Sequence, residues 1–214
     1  KFLIISLFNL IFKKEKISIR YNNLKKSFKN YYNSENVYFI STWRLGLYFV
    51  LKSYNLEKSS EVIITGIGIP DKINSVLLAG LKPVFVDLDL NSHNIDIYDL
   101  KKKINNNTKI IHITYLSGLV PNMDEIKKIC KENNLILIED ISQAYGANYK
   151  NKICGTFGNV SIGSFSLGKT ISSNGGGVVI INDDKIKKNF EKMFDKELTL
   201  PSRIFLIKLN LNQI

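Results

Sequence analysis

Short apolar runs rich in β-branched residues recur along the chain from Val37 onward, separated by polar stretches with helical periodicity. The runs fall at 37–40 (VYFI), 62–65 (VIIT), 83–87 (PVFVD), 109–115 (KIIHITY), 135–139 (LILIE), 160–165 and 177–181, and each reads as a strand. Helical patterns occupy 43–54, 71–79, 96–104 and 123–133. In the last of these Met123, Ile126, Ile129 and Cys130 share one face. Asn122 stands at its N-cap position, with Glu125 three residues on. Leu24, Phe28 and Tyr31 or Tyr32 recur at helical spacing within 17–32, and a further helical stretch runs from Lys185 to Lys196. Strands alternating with helices predict βαβ units, hence an α/β fold with helices on both faces of a mostly parallel central sheet.

Composition changes this picture little. With 214 residues, 44% hydrophobic and 23% charged, the chain is long enough to bury one good core. The formal charge of +11 comes mostly from lysines scattered through helical stretches such as 101–103, 127–131 and 185–192. Without interleaved arginines and aromatics these read as solvated helix faces, and no nucleic-acid partner is expected. The two cysteines, Cys130 and Cys154, are too few for a disulfide framework. They favour a reducing, cytoplasmic setting. His93 and His112 lack acidic or cysteine partners at ligand spacing, so no metal site is expected. The opening segment KFLIISLFNLIF is apolar but too short to span a bilayer. No small-residue cleavage site follows it, and it reads as a packed helix within an N-terminal helical segment, residues 1–35.

Two stretches imitate nucleotide-binding motifs. Gly163-Ser-Phe-Ser-Leu-Gly168-Lys169-Thr170 satisfies the pattern of a phosphate loop. Such a loop has to open a helix, whose N-terminus supplies amides and dipole. Here Ile-Ser-Ser-Asn and three glycines follow, then Val178-Val179-Ile180-Ile181. Consecutive glycines are poor helix formers, and the apolar run is a strand, so Lys169 is expected in a turn between two strands. In that context Lys169 reads as a buried amine able to attack a carbonyl cofactor. The second imitation is Gly66-Ile-Gly68, after a strand and before a helix. Its third glycine position holds Asp71, whose carboxylate would repel a pyrophosphate.

A sharper signal is Ile138-Glu139-Asp140-Ile-Ser-Gln143-Ala-Tyr145-Gly146. A strand there ends in adjacent carboxylates, at the sheet edge where open α/β folds hold ligands. An acidic group at that edge either caps the following turn or salt-bridges the ring nitrogen of pyridoxal phosphate.

The stretches EVIITGIGIPDKINSVLLAGLKPVFVDLDLNSHNID and NMDEIKKICKENNLILIEDISQAYGANYKNKICGTFGNVSIGSFSLGKTISSNGGGVVIINDD carry a resemblance that spans Val37 to Asp184. The chain resembles the DegT/DnrJ/StrS-type sugar aminotransferases, fold type I enzymes that use pyridoxal 5'-phosphate. The resemblance implies a three-layer α/β/α large domain over residues 36–196, with a tail from 197 to 214 leading to a smaller C-terminal domain that the chain lacks. It implies a homodimer, a nucleotide-linked keto-sugar substrate and glutamate as amino donor, in the service of amino-sugar and polysaccharide biosynthesis. Lys169 matches the lysine that forms the Schiff base with the cofactor and then shuttles a proton. Asp140 matches the aspartate on the pyridine nitrogen, Gln143 the glutamine at the hydroxyl edge, and Ser164 the serine on the phosphate. Arg44 and Leu45 match the amides of the phosphate cup at a helix N-terminus.

Three positions depart from the family pattern. Ile69 stands where an aromatic usually stacks on the ring, Tyr145 where a histidine is frequent, and Asn174-Gly175-Gly176-Gly177 where the family has Gly-Glu-Gly-Gly. These departures suit a second reading, a non-catalytic or regulatory protein on the same scaffold. A phosphate-loop nucleotide hydrolase is the third reading. The chain does not begin with methionine, and its sequence after Asp184 is too short for a second domain, so it is expected to be part of a longer enzyme.

Overall fold

The computed structural model describes residues 17–197. The expectations for the apolar opening segment and for the tail lie outside them. Sixteen residues, Ile17–Tyr32, form helix α1. There follow β1 (Val37–Ile40), α2 (Trp43–Ser53), β2 (Glu61–Thr65), α3 (Pro70–Leu78), β3 (Lys82–Val86), α4 (Ile97–Lys103) and β4 (Thr108–Thr114). After a 3-10 turn, Leu116–Gly118, come α5 (Met123–Glu132), β5 (Ile136–Asp140), the short pair β6 (Asn148–Tyr149) and β7 (Lys152–Ile153), β8 (Val160–Ser164), β9 (Gly177–Ile181) and α6 (Asp184–Glu197). Among the described residues no helix is long and apolar enough to cross a membrane.

Seven strands make one sheet in the order β1-β9-β8-β5-β4-β2-β3. The pairs β2–β3, β2–β4, β4–β5 and β5–β8 are parallel, while β9 runs antiparallel to both of its neighbours. The expected mostly parallel sheet is therefore present. Reversal of β9 follows from the connection before it. Residues 165–176 make turns and bends rather than a crossover helix, so the chain can only return alongside β8.

Both faces of the sheet are covered, which is why most strands read as unbroken apolar runs rather than alternating ones. On one face Ile63, Ile111, Ile113, Leu137, Val178 and Ile180 pack with Phe28 and Tyr32 of α1, Leu100 of α4 and Met123, Ile126 and Ile129 of α5. On the other, Val62, Ile64, Ile110, Ile138, Val160, Ile162 and Val179 pack with Leu47 and Val50 of α2, Val76 of α3 and Phe190 and Phe194 of α6. Helix α5 starts as its sequence predicts, the Asn122 side chain accepting the Glu125 N–H at 3.2 Å. The Glu125 carboxylate turns outward instead, to Lys101 Nζ at 2.7 Å.

Candidate active site

The parallel strands end together, and register decides what meets at that edge. Thr114 pairs with Asp140, Asp140 with Ile162, Ser164 with Gly177, and Gly177 with Ile40. Residues directly paired across a sheet share a face. Thr114, Asp140 and Ser164 thus lie on the face covered by α2, α3 and α6, at the carboxyl edge. Ile40 ends β1 beside them, and the next residues turn into α2. Gly177 permits this close approach. A Cβ there would lie 2.8 Å from the Gly163 carbonyl oxygen and 3.3 Å from the Trp43 nitrogen.

Helix α2 consequently aims its N-terminus at the same edge as Ser164. Thr42 is extended (φ −147, ψ 150), and its hydroxyl accepts the Leu45 N–H at 3.2 Å. The first-turn amides of an 11-residue helix carry partial positive charge, which suits an anion. Arg44 is exposed and reaches across to α3, donating to Asp71 Oδ2 at 2.6 Å. Asp71 stands in the first turn of α3, where a carboxylate is favoured by the helix N-terminus as well as by this pair.

Ser164 is buried, its hydroxyl 2.9 Å from that of Ser166 and its N–H donated to Ser142 Oγ at 3.0 Å. Ser142 in turn gives its N–H to Asp140 Oδ1 at 3.0 Å. Asp140 is 7% exposed. Burial pushes its pKa up, while the contacts to Ser142 and the charges of Lys72 and Lys169 act the other way. Among the described residues it makes no direct ion pair, and beside it the buried Thr114 Oγ1 has no hydrogen-bond partner. Gln143 lies half-buried one turn on, its Oε1 accepting the Ser117 N–H at 2.8 Å.

Lys169 sits in the turn between β8 and β9, as expected, with its N–H on the Ser166 carbonyl at 3.2 Å. Turns and bends, then strand β9, follow it rather than a helix opening at the loop, so the phosphate-loop pattern does not have phosphate-loop structure. One expectation needs correction: Lys169 is half-buried rather than buried. Its turn projects past the end of the sheet, where Gly168 and Gly175 have open space around them. Ile69, the residue before α3, is 52% exposed on the loop that faces this edge.

Lys72 escaped the sequence reading, and two residues named there, His112 and Tyr145, also stand beside the site. Lys72 on α3 is 3% exposed, its amine 3.3 Å from Thr65 Oγ1 and 3.4 Å from the Ile67 carbonyl oxygen. The signal for it was present, because Lys72, Ser75, Val76 and Ala79 share a helical face. His112 is buried on the Asp140 face, edge-on to Trp43 at 6.0 Å, and among the described residues neither of its ring nitrogens has a hydrogen-bond partner. Tyr145 stacks on Phe165 at 5.7 Å with its hydroxyl buried and unpartnered. Glu139 belongs to the opposite face. Its carboxylate accepts the Tyr115 hydroxyl and the N–H groups of Gly155, Phe157 and Gly158, which fixes the loop before β8.

A comparison with known proteins locates this arrangement. The GDP-perosamine synthase of Escherichia coli O157:H7 is 35% identical over 144 residues, 67% of this chain and 40% of that protein. The aminotransferase from Psychrobacter cryohalolentis superposes with a TM-score of 0.77 at 27% identity, covering 85% of this chain and 48% of the other. An E. coli GDP-4-keto-6-deoxy-D-mannose-3-dehydratase with bound hydrated PLP gives a TM-score of 0.71 at 29% identity, over 76% of this chain and 43% of the other. The chain thus spans less than half the length of the proteins it matches here. A profile of the DegT/DnrJ/EryC1/StrS aminotransferases matches residues 17–198, and the chain belongs to that family.

Proposed function

We propose that the chain carries the cofactor-binding part of a pyridoxal-phosphate-dependent aminotransferase, which moves an amino group from glutamate onto a nucleotide-linked keto sugar. The observation that carries this reading is the register that brings Asp140, Ser164 and the N-terminus of α2 to one sheet edge beside the Lys169 turn. The groups there fit the cofactor. Among the described residues Asp140 is a buried carboxylate without an ion pair, suited to a protonated ring nitrogen, and Thr114 Oγ1 is a buried hydroxyl without a partner.

When bound, pyridoxal phosphate supplies an electron sink for the pair left as a proton departs from the amino-bearing carbon. The chain's own residues do the rest. Lys169 would be the covalent attachment point, and its amine would carry the proton from that carbon to the cofactor's carbon. Half-burial in a glycine-flanked turn lets the amine reach both positions. Asp140 would hold positive charge at the ring nitrogen. The Ser164 hydroxyl and the Arg44 and Leu45 N–H groups would bind the phosphate, the Leu45 N–H giving up its Thr42 acceptor. Gln143 would serve the ring's hydroxyl edge, and Ile69 would be an aliphatic cover for the ring.

The sugar class is supported by the relatives, two of which are named for GDP-linked sugars. Glutamate as donor, a homodimer and a role in amino-sugar and polysaccharide biosynthesis rest on family membership. Residues 36–196 are read as the large domain, leading from 197 toward a smaller C-terminal one. Buried free thiols at Cys130 and Cys154 support a cytoplasmic setting.

Ligand-dependent thermal unfolding tests the reading. Pyridoxal phosphate at about 100 times its dissociation constant stabilises a specific binder by about 2.7 kcal/mol. The expected result is such a shift with pyridoxal phosphate and none with ATP and magnesium. Protection by ATP with magnesium and none by pyridoxal phosphate would overturn it.

A further inference from the structure

Trp43, the chain's only tryptophan, is the first residue of α2 and stands between the Thr42 cap and the amides of Arg44 and Leu45. Two contacts fix where its side chain runs. At one end its backbone crowds β9, where a Cβ on Gly177 would lie 3.3 Å from the Trp43 nitrogen and 3.4 Å from its Cα. At the other end the indole stands perpendicular to the His112 ring of β4, with centroids 6.0 Å apart. Strands β8 and β5 lie between β9 and β4 in the sheet. The indole therefore crosses β8 and β5, on the face that carries Ser164 and Asp140 and in one apolar cluster with Ile162 and Ile138.

Filling space does not account for this pair of rings. Trp43 is 6% exposed and His112 1%. Among the described residues the indole N–H and both imidazole nitrogens have no hydrogen-bond partner. Burying polar atoms in that way costs free energy that an aliphatic pair would not. What the indole supplies is length, because it ties the start of α2 to a strand three places away from β9. We propose that Trp43 is a positioning residue: braced against His112, its indole sets where the first-turn amides of α2 stand relative to Asp140. This step rests on the proposed function, in which those amides bind the cofactor's phosphate and Asp140 meets its ring nitrogen. Two anchors on one rigid molecule reinforce each other only when their spacing matches it. Trp43 therefore acts on a cofactor that carries its phosphate and not on the aldehyde alone.

The test is borohydride labelling of Lys169, read by peptide mass mapping, with pyridoxal phosphate and with pyridoxal, which lacks the phosphate. Parent, Trp43→Leu and Trp43→Phe are compared by the adduct formed per unit of aldehyde at low concentration. Trp43→Leu should lower labelling by pyridoxal phosphate about tenfold and change labelling by pyridoxal by less than about twofold, since only the phosphate anchor has lost its preorganisation. Trp43→Phe, with a shorter aromatic ring, should fall between parent and Trp43→Leu. Equal losses with the two aldehydes would make Trp43 a structural residue only and overturn the assignment. If the Leu variant does not fold, the Phe variant carries the same comparison. In the parent, tryptophan emission comes from Trp43 alone and should fall as pyridoxal phosphate saturates the chain, and unchanged emission at full labelling would overturn the placement. A parent that neither aldehyde labels at Lys169 overturns the proposed function and this inference with it. A parent labelled by pyridoxal phosphate, with a Trp43→Leu variant labelled as well, overturns this inference alone.

Discussion

Glu139 and Asp140 are neighbours in the chain and work on opposite faces of the sheet, because successive strand side chains alternate. Glu139 fastens a loop, while Asp140 faces the site. The sequence located the pair of carboxylates but could not assign their sides, since β5 is covered on both faces and shows no polar alternation. Asp140→Asn keeps the side chain's size and its acceptor for Ser142 N–H, so the fold should hold. In the whole enzyme, turnover should fall by about a hundredfold or more, as when one preorganised electrostatic contact is removed. Parental turnover would reduce Asp140 to a turn cap. His112 makes a different prediction. Burial, then the charge of Lys72, pulls its pKa down to about 3. The unfolded chain protonates this histidine near pH 6.5, whereas the folded chain does so only near the lower value. The stability tied to a neutral His112 is thus whole above pH 6.5 and is lost as pH falls toward 3, at about 1.4 kcal/mol per pH unit. Urea unfolding at several pH values should show that slope in the parent and a flatter one in His112→Leu. An equal slope in both would place the acid sensitivity elsewhere.

At the scale of elements the seven strands of the main sheet and the helices were legible to within a residue or two. Long apolar runs and a capped amphipathic helix such as α5 leave few alternatives. The β6–β7 hairpin was not legible. Its strands are two residues each, too short to display a period, and its turn places Lys150 and Asn151 at positive φ (48° and 62°). The reversal of β9 was implicit in the glycine run, which cannot form a crossover helix. What the strand pattern concealed was the loop from Gly155 to Gly158, which depends on Glu139 for its N–H partners. Burial raises the Glu139 pKa, and these N–H groups with the Tyr115 hydroxyl oppose the rise. Glu139→Gln should cost about 3 kcal/mol, because an amide replaces a charged acceptor and turns donors toward donors. Asn122→Ala, which removes only the α5 cap, should cost about 1 kcal/mol. Denaturant unfolding of both variants checks the ranking, and equal losses would deny Glu139 its anchoring role.

For the whole molecule, the site is a product of topology rather than of any one motif. Residues 40–45, 140–143 and 164–169 meet because β1, β5 and β8 end at one edge and β9 returns between β1 and β8. Motif resemblance located these residues, but only strand order explains why they converge. Lys72 stayed hidden, and His112 was read only as lacking metal-ligand partners, because the burial of each depends on what packs beside it. In the proposed function Lys169 is the covalent anchor of the cofactor. Borohydride reduction of the chain with pyridoxal phosphate, followed by peptide mass mapping, tests it most directly. The expected product carries a pyridoxyl group on Lys169, absent from Lys169→Ala. An adduct confined to other lysines, or none with cofactor in excess, would contradict it.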